Sequence, residues 1–219
     1  MSSDRGGAGA QDGMTLEREA HIMVVSGPSG SGKSTLIHDL LFRHPEINFS
    51  VSHTTRERRP GEENGREYHF VARREFTRMV ETDRFVEWAE VHGNLYGTSL
   101  QEIEAKSGEG RDLVLDVDVQ GAATLKKRFP GALYVFIVAP TLAELRRRLV
   151  QRRGDSPPAI ERRFRQAREE MKRFQLYDMI VVNDRLEEAA AVLESIYVAF
   201  TRRVRRMAPL IRSILEVNP

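Results

Sequence analysis

The sequence predicts an α/β fold: a parallel sheet flanked by helices around a phosphate-binding loop, with a β-rich segment inserted and an arginine-rich helical segment near the end. Three observations carry this. Short apolar runs alternate with stretches of helical spacing from residue 21 to about 200. A Gly-rich turn joins the first apolar run to the first helical stretch. Between about 50 and 98 the rhythm breaks into short strand-like runs separated by turn signals.

Taken in order, His21–Ser26 is a continuous apolar run and predicts a buried strand. Lys33–Arg43 places Leu36, Ile37, Leu40 and Leu41 on one helical face. Phe49–His53 alternates like a half-buried strand. Thr54–Glu67 is a polar loop with turn signals at Pro60-Gly61 and Asn64-Gly65. Tyr68–Val71 predicts a short strand, Arg73–Glu81 a helix and Phe85–Val91 a strand in which Trp88 is expected in the core. The α/β alternation resumes with a strand over Asp112–Val117, a helix over Gln120–Arg128 and a strand over Leu133–Ala139. Thr141-Leu-Ala-Glu144 has the spacing of a capping box and opens a helix to about Gln151. Ser156-Pro157 starts another, to about Gln175, since Pro suits the first helical position. Met179–Val182 predicts the last strand and Leu186 to about Val204 the last helix. The expected division is a mobile, disordered leader (1–19), a core (20–49, 99–145 and 176–200), an insert (50–98), a lid (about 146–175) and a basic C-terminal extension (201–219).

Composition excludes several classes. The 219 residues are 40% hydrophobic and 30% charged, enough to bury a core. There is no Cys, hence no disulfide framework, thiolate metal site or Cys nucleophile. No apolar run approaches the roughly 20 residues that span a bilayer. Met1–Gln11 lacks the apolar centre of a secretory signal, so a cytoplasmic protein is expected. The net charge of +2 does not by itself argue for nucleic acid, and none is expected as a partner. Of the 34 basic residues 29 are Arg, and Arg146–Arg173 alone carries a net +7. Arg presents a fork suited to phosphate.

The strongest motif is Gly27-Pro28-Ser29-Gly30-Ser31-Gly32-Lys33-Ser34, which fits G-x-x-x-x-G-K-[ST] between a strand and a helix. Its glycines let backbone N–H groups turn toward phosphate oxygens, and the helix N-terminus adds partial positive charge. Lys33 suits the β- and γ-phosphates and Ser34 suits Mg²⁺. Asp116 and Asp118 lie at the end of a strand two residues apart, on one face. One could manage a metal and the other a substrate, or Asp118 could cap the following helix. Ser52–Tyr68 crowds Arg56, Arg59, hydroxyls and Tyr68 into an irregular loop. Arg forks and Tyr hydroxyls suit a phosphate monoester, although such a loop by itself is usually solvated surface.

Gly27–Thr35, Ser52–Tyr68, Glu87, Asn94–Thr98, Asp116–Gly121 and the Arg148–Arg163 stretch stand in the order and spacing of a guanylate kinase. The resemblance covers about 21 to 200. It implies Mg²⁺-dependent transfer of the γ-phosphoryl of ATP to GMP in purine nucleotide metabolism, with a core, a GMP-binding insert and a lid. It implies that Arg56, Arg59, Tyr68 and Tyr96 hold the GMP phosphate, with Ser52 and Glu62 in the same site. Glu87 would accept from guanine N1–H and N2–H₂, a pairing adenine cannot offer. The Thr98 hydroxyl would donate to guanine O6, and Asp118 would add an acceptor beside the exocyclic amine. Residues Gly27–Thr35 would bind ATP, with Lys33 catalytic and Ser34 and Asp116 at the metal. Of the lid arginines, Arg148 would lie at the ATP, Arg152 and Arg163 would reach the transferred phosphoryl, and Arg59 would share that catalytic role. Asn183 resembles a position near the adenine of ATP. The lid's charge should hold it open without phosphate. Arg153 departs from the small residue common in the family, and the arginines from Arg202 to Arg206 exceed its usual end. That tail could extend the last helix, contact another subunit or bind a polyanion; oligomeric state is left open. The rival reading, a guanylate-kinase-like interaction module, predicts a degraded loop or lid, whereas Lys33, Ser34, Arg152 and Arg163 are all present. Glu87, Tyr96 and Thr98 argue against a phosphotransferase with another acceptor.

Overall fold

The computed structural model describes residues 21–91, 93–107, 110–151 and 156–216. The leader expected over 1–19, and Arg152 and Arg153, lie outside the described residues. Two sheets organise the chain. The first is parallel throughout, from β1 (Ile22–Ser26), β2 (Asn48–Ser50), β7 (Leu113–Asp116), β8 (Leu133–Val138) and β9 (Met179–Val182), in the order β2-β7-β1-β8-β9. The second belongs to the insert: β3 (His53–Thr54), β4 (His69–Phe70), β5 (Phe85–Val91) and β6 (Asn94–Ser99), in the order β4-β3-β6-β5.

The continuous apolar composition of β1 has a direct consequence. Its side chains alternate, and both faces are covered. Met23 and Val25 pack with Leu36, Ile37 and Leu40 of α1 (Lys33–Arg43) and with Leu193, Tyr197 and Phe200 of α7 (Leu186–Thr201). Ile22 and Val24 pack on the other face with Ile103 of α3 (Leu100–Ser107) and with Ala122 and Leu125 of α4 (Val119–Arg128). The insert has its own small core, in which Phe76 of α2 (Arg73–Glu81) stacks on Phe85 at 4.4 Å between ring centroids and Leu95 closes the cluster. The helices α5 (Leu142–Gln151) and α6 (Pro157–Met171) meet through Leu145 and Ala167.

The structure differs from the sequence expectations at definite places. The run Phe49–His53 is two strands, not one. Asn48–Ser50 joins the core sheet beside β7, and His53–Thr54 joins the insert sheet beside β6. Alternation reads the same on either side of such a crossing. Trp88 is not core: it is 48% exposed. The reason is a register shift in β5, where Phe85 pairs with Ser99 but Glu87 with Thr98. The extra residue lets Phe85 and Val86 both be buried. After it, Glu87 and Ala89 point inward and Trp88 out. The helix expected to reach Gln175 stops at Met171, followed by a 3₁₀ turn over Phe174–Leu176. The last helix ends at Thr201, and a further helix, α8 (Val204–Glu216), follows. Of the expected capping box only one half forms: Thr141 Oγ1 accepts from the Glu144 N–H at 3.1 Å, while the Glu144 carboxylate turns to Arg147 and Arg148.

Candidate active site

The parallel sheet aims the C-terminal ends of β1 and β7 at one cleft of about 810 Å³. β1 ends at Ser26 and the chain turns through Gly27–Gly32 into α1. Gly32 carries the tightest part of that turn, with φ +84°. A Cβ there would stand 2.2 Å from Asn183 Nδ2, so a side chain is excluded twice, by backbone and by space. Lys33 is ion-paired with Asp116 at the end of β7, and Ser34 Oγ lies 3.5 Å from the other Asp116 oxygen. One cation, one hydroxyl and one carboxylate thus meet at the mouth of the loop.

Asn183 has a different place from the adenine contact that the resemblance implies. It is buried, its Nδ2 donates to Ser31 O at 2.8 Å, and its own carbonyl accepts from Arg148 Nη2 at 2.9 Å. Its side chain is spent on the shape of the loop. Arg148 also pairs with Glu144 at 2.6 Å, so both residues brace the loop from behind.

The insert supplies the opposite wall. Arg56 makes a two-pronged contact with Glu62, 2.7 and 3.0 Å, and lies over the rings of Tyr68 and Phe70 at 5.5 and 5.6 Å. Glu62 also accepts from the Arg59 N–H at 2.8 Å. Glu62 lines the cleft beside Arg56 and Arg59, and its carboxylate is engaged by both. Tyr68 stands edge-on to Tyr96 at 5.8 Å. Arg56, Arg59, Tyr68 and Tyr96 all line the cleft.

Deeper in, Glu87 is 6% exposed. Its Oε1 accepts from the Thr98 N–H at 3.0 Å and the Thr98 hydroxyl at 2.6 Å. Thr98 is fully buried and has a single hydroxyl proton, directed to Glu87; it is not turned outward as a donor to a base. Ser52 Oγ sits 3.3 Å from Thr98 Oγ1 and completes the chain from behind. The second Glu87 oxygen stands where a side chain on Gly121 would be, 2.5 Å from that Cβ position. Burial pushes the Glu87 carboxyl up to about 7; the Thr98 hydroxyl pulls it down, the charge of Asp118 adds to the rise, and the Thr98 N–H pulls it down again. Asp118 caps α4, accepting from the Gly121 N–H at 2.7 Å, and lines the same cleft. Its carboxyl is raised too, by burial first, against the pull of Gly121 and Lys33.

The helix α6 meets the loop. Arg163 Nη2 donates to Ser29 Oγ at 2.7 Å. Carboxylates are interleaved among the cations of this segment: Arg146 pairs with Glu161, and Arg147 and Arg148 with Glu144. Glu144 is held down to about 2 by the hydrogen bonds from Arg147 and Arg148. Arg152 lies outside the described residues. Sequence reasoning missed Glu170, which faces the cleft beside the loop. The available signal was its spacing, seven residues from Arg163 on one helical face. Among the described residues no group of three His, Cys, Asp or Glu side chains could hold a metal, and no helix is long and apolar enough to cross a membrane.

A strand–Gly-rich loop–helix unit with a lysine at its mouth, facing arginines and tyrosines across one cleft, is the architecture of a P-loop protein. Comparison with known proteins makes this specific. Residues 19–199 match the guanylate kinase family model. The chain is 43% identical to the guanylate kinase of Geobacter sulfurreducens over 93% of its own length and all of that protein. It is 45% identical to that of Alkalilimnicola ehrlichii over 89% of this chain and 96% of that one. The crystal structure of guanylate kinase from Anaplasma phagocytophilum superposes with a TM-score of 0.72 at 31% identity, covering 90% of this chain and 96% of that one. The chain belongs to the guanylate kinase family, and its reaction is transfer of a phosphoryl group from ATP to GMP.

Proposed function

We propose that the two walls of the cleft divide the substrates, ATP on the loop Gly27–Thr35 and GMP on the insert. The observation that carries this is the single cleft running from the Lys33–Asp116 pair to the buried Glu87 carboxylate. Loop N–H groups and the α1 N-terminus bind the ATP phosphates, with Lys33 leaving Asp116 for the β- and γ-phosphates. Arg56 and Arg59, held by Glu62, bind the GMP phosphate together with Tyr68 and Tyr96. The outer Glu87 oxygen and Asp118 accept from guanine N1–H and N2–H₂, while Thr98 and Ser52 fix the carboxylate. Arg163, joined by Arg152 as the family resemblance implies, offsets the charge that gathers as the GMP oxygen attacks the γ-phosphorus and ADP leaves.

Ser34 and Asp116 are hard oxygen donors beside the loop, a set that fits Mg²⁺ completed by phosphate oxygens and water. When bound, Mg²⁺ supplies charge neutralisation for the phosphates. The acceptor oxygen of GMP is ionised near neutral pH, so no general base is required of the chain.

The test is a coupled ADP-release assay over a panel of nucleoside monophosphates. GMP should support turnover far above AMP, CMP and UMP, and chelation of Mg²⁺ should abolish it. ADP release independent of GMP would overturn the reading.

A further inference from the structure

The C-terminal helix α8 stands clear of its own chain. Every residue from Pro209 to Glu216 is exposed. The helix is held near its start, where Arg206 pairs with Asp112 and lies 4.7 Å over the ring of Phe200. A stretch this short does not persist as a helix alone in water, where even about 12–15 residues are marginal. Pro209 removes one of its hydrogen bonds as well. Tertiary packing has to supply the rest, and the helix carries a face for it. Val204, Leu210, Ile211, Ile214 and Leu215 fall on one side at helical spacing, the last four between 51% and 78% exposed. Arg205 and Arg212 border that face.

A second bare face lies on α7. Ala191, Val192, Ser195, Val198 and Ala199 are exposed and uncharged, on the side away from the core residues Leu193, Tyr197 and Phe200. Between Ala189 and Phe200 the one charged residue is Glu194, which turns aside to Arg43 and His44. A helix this apolar all round belongs in an interior. Its own α8 does not cover it, because Arg206 anchors α8 beside Phe200, on the buried side of α7.

We propose that the chain forms a two-fold dimer in which α8 of each subunit lies on the outward face of the partner's α7. One contact, made twice, covers both bare faces. The charges agree: Arg205 and Arg212 border the α8 face, while α7 opens with exposed Glu187 beside the Glu188–Arg185 pair. A bilayer surface would take α8 but leave α7 uncovered, and nucleic acid would use the arginines but not the apolar side. The cleft lies at the C-terminal ends of the core strands, whereas α8 is anchored at Asp112, just before β7, so neither cleft is part of the contact.

Sedimentation velocity of the full chain across the micromolar range tests this. The wild type should run near twice the 25.0 kDa of one chain. Ile211→Glu on α8 and Val192→Glu on α7 each put a carboxylate into an apolar contact. Each should raise the dimer dissociation constant by at least about 100-fold, with circular dichroism and kcat unchanged. Ile211→Ser and Val192→Ser should act in the same direction, more weakly, and serve if an added charge disturbs folding. An equimolar mixture of the α8 variant and the α7 variant keeps one intact contact, from the α8 of one chain and the α7 of the other. It should associate at concentrations where neither variant does alone; a contact of α8 with α8 would not recover in this way. A wild type that stays monomeric overturns the proposal, and flotation of that monomer with phosphatidylglycerol vesicles would assign α8 to a lipid surface instead. A dimer unaffected by either substitution, or a mixture that stays monomeric, overturns the contact of α8 with α7.

Discussion

Glu87 owes its orientation to neighbours on three elements. Thr98 donates twice to one oxygen, and the other lies against the only residue type that leaves it room, a glycine at 121. Glu87→Gln replaces an acceptor with an amide that must oppose either Thr98 or the guanine donors. The GMP-over-AMP ratio of kcat/KM should fall by roughly 100-fold or more, chiefly through the GMP value, because buried opposed donors are costly. An unchanged ratio would show that Glu87 does not read the base. The same carboxyl gives a pH signature. With its pKa pushed up to about 7, Glu87 is protonated in the free enzyme below that pH and cannot accept at that oxygen. kcat/KM for GMP should therefore rise with pH through about 7, and Glu87→Gln should lose that limb of the profile. Gly121→Ala probes the space. Its methyl group would strike the Glu87 carboxylate, so KM for GMP should rise at least about tenfold, the effect of little more than 1 kcal/mol, while KM for ATP stays near wild type. Equal changes in both would point to a general distortion of α4.

At the scale of elements, the insert sheet carries a buried group that makes it sensitive to acid. His53 on β3 is packed 4.7 Å from His69 on β4 and 5.7 Å from Phe85 on β5. Burial, and then the charge of His69, push the His53 imidazole down to about 4. In the unfolded chain it titrates near about 6.5. Between those values the unfolded state binds more protons, so stability is full above about 6.5 and falls as pH drops toward 4. His53→Phe removes the titrating ring but keeps the aromatic packing. The loss of thermal midpoint between pH 7 and pH 5 should be smaller in the variant than in wild type. Identical losses would place the acid sensitivity elsewhere.

Across the whole molecule, the two ends of the parallel sheet do different work. The C-terminal ends carry the site. The N-terminal ends carry a buried clasp in which Asp112, just before β7, accepts from His21 at 3.0 Å, from Tyr197 of α7 at 2.9 Å, and from Arg206 of α8. The Asp112 and Arg206 side chains are only 9% and 11% exposed. This pair ties the C-terminal helix to the core. Removing the cation leaves a buried carboxylate short of its partner, so Arg206→Ala should cost about 3 kcal/mol of stability. The clasp lies a full strand length from the loop, and KM for both substrates should be unchanged. Denaturant unfolding beside steady-state kinetics checks both halves; a stable variant with impaired kinetics would reverse the assignment.

The sequence by itself determined the elements whose pattern is local. The helices Lys33–Arg43 and Arg73–Glu81 and the strands Phe85–Val91 and Met179–Val182 begin and end where periodicity and turn residues place them. The phosphate loop was legible for the same reason, since its backbone geometry is written in consecutive glycines. Pairings between distant segments were not legible. The split of Phe49–His53 depends on which sheet has a free edge, and the exposure of Trp88 on a bulge that only the partner strand reveals. Thr98 as the clamp on Glu87, Asn183 as a brace of the loop and Arg206 as the partner of Asp112 join residues 11, 152 and 94 positions apart. Glu170 read as one acid among many in a charged helix. Periodicity says which face of an element is apolar, but which polar group another chain segment will bring to that face is decided only when the tertiary structure closes, because burial makes an unmet donor or acceptor costly and selects the partner that satisfies it.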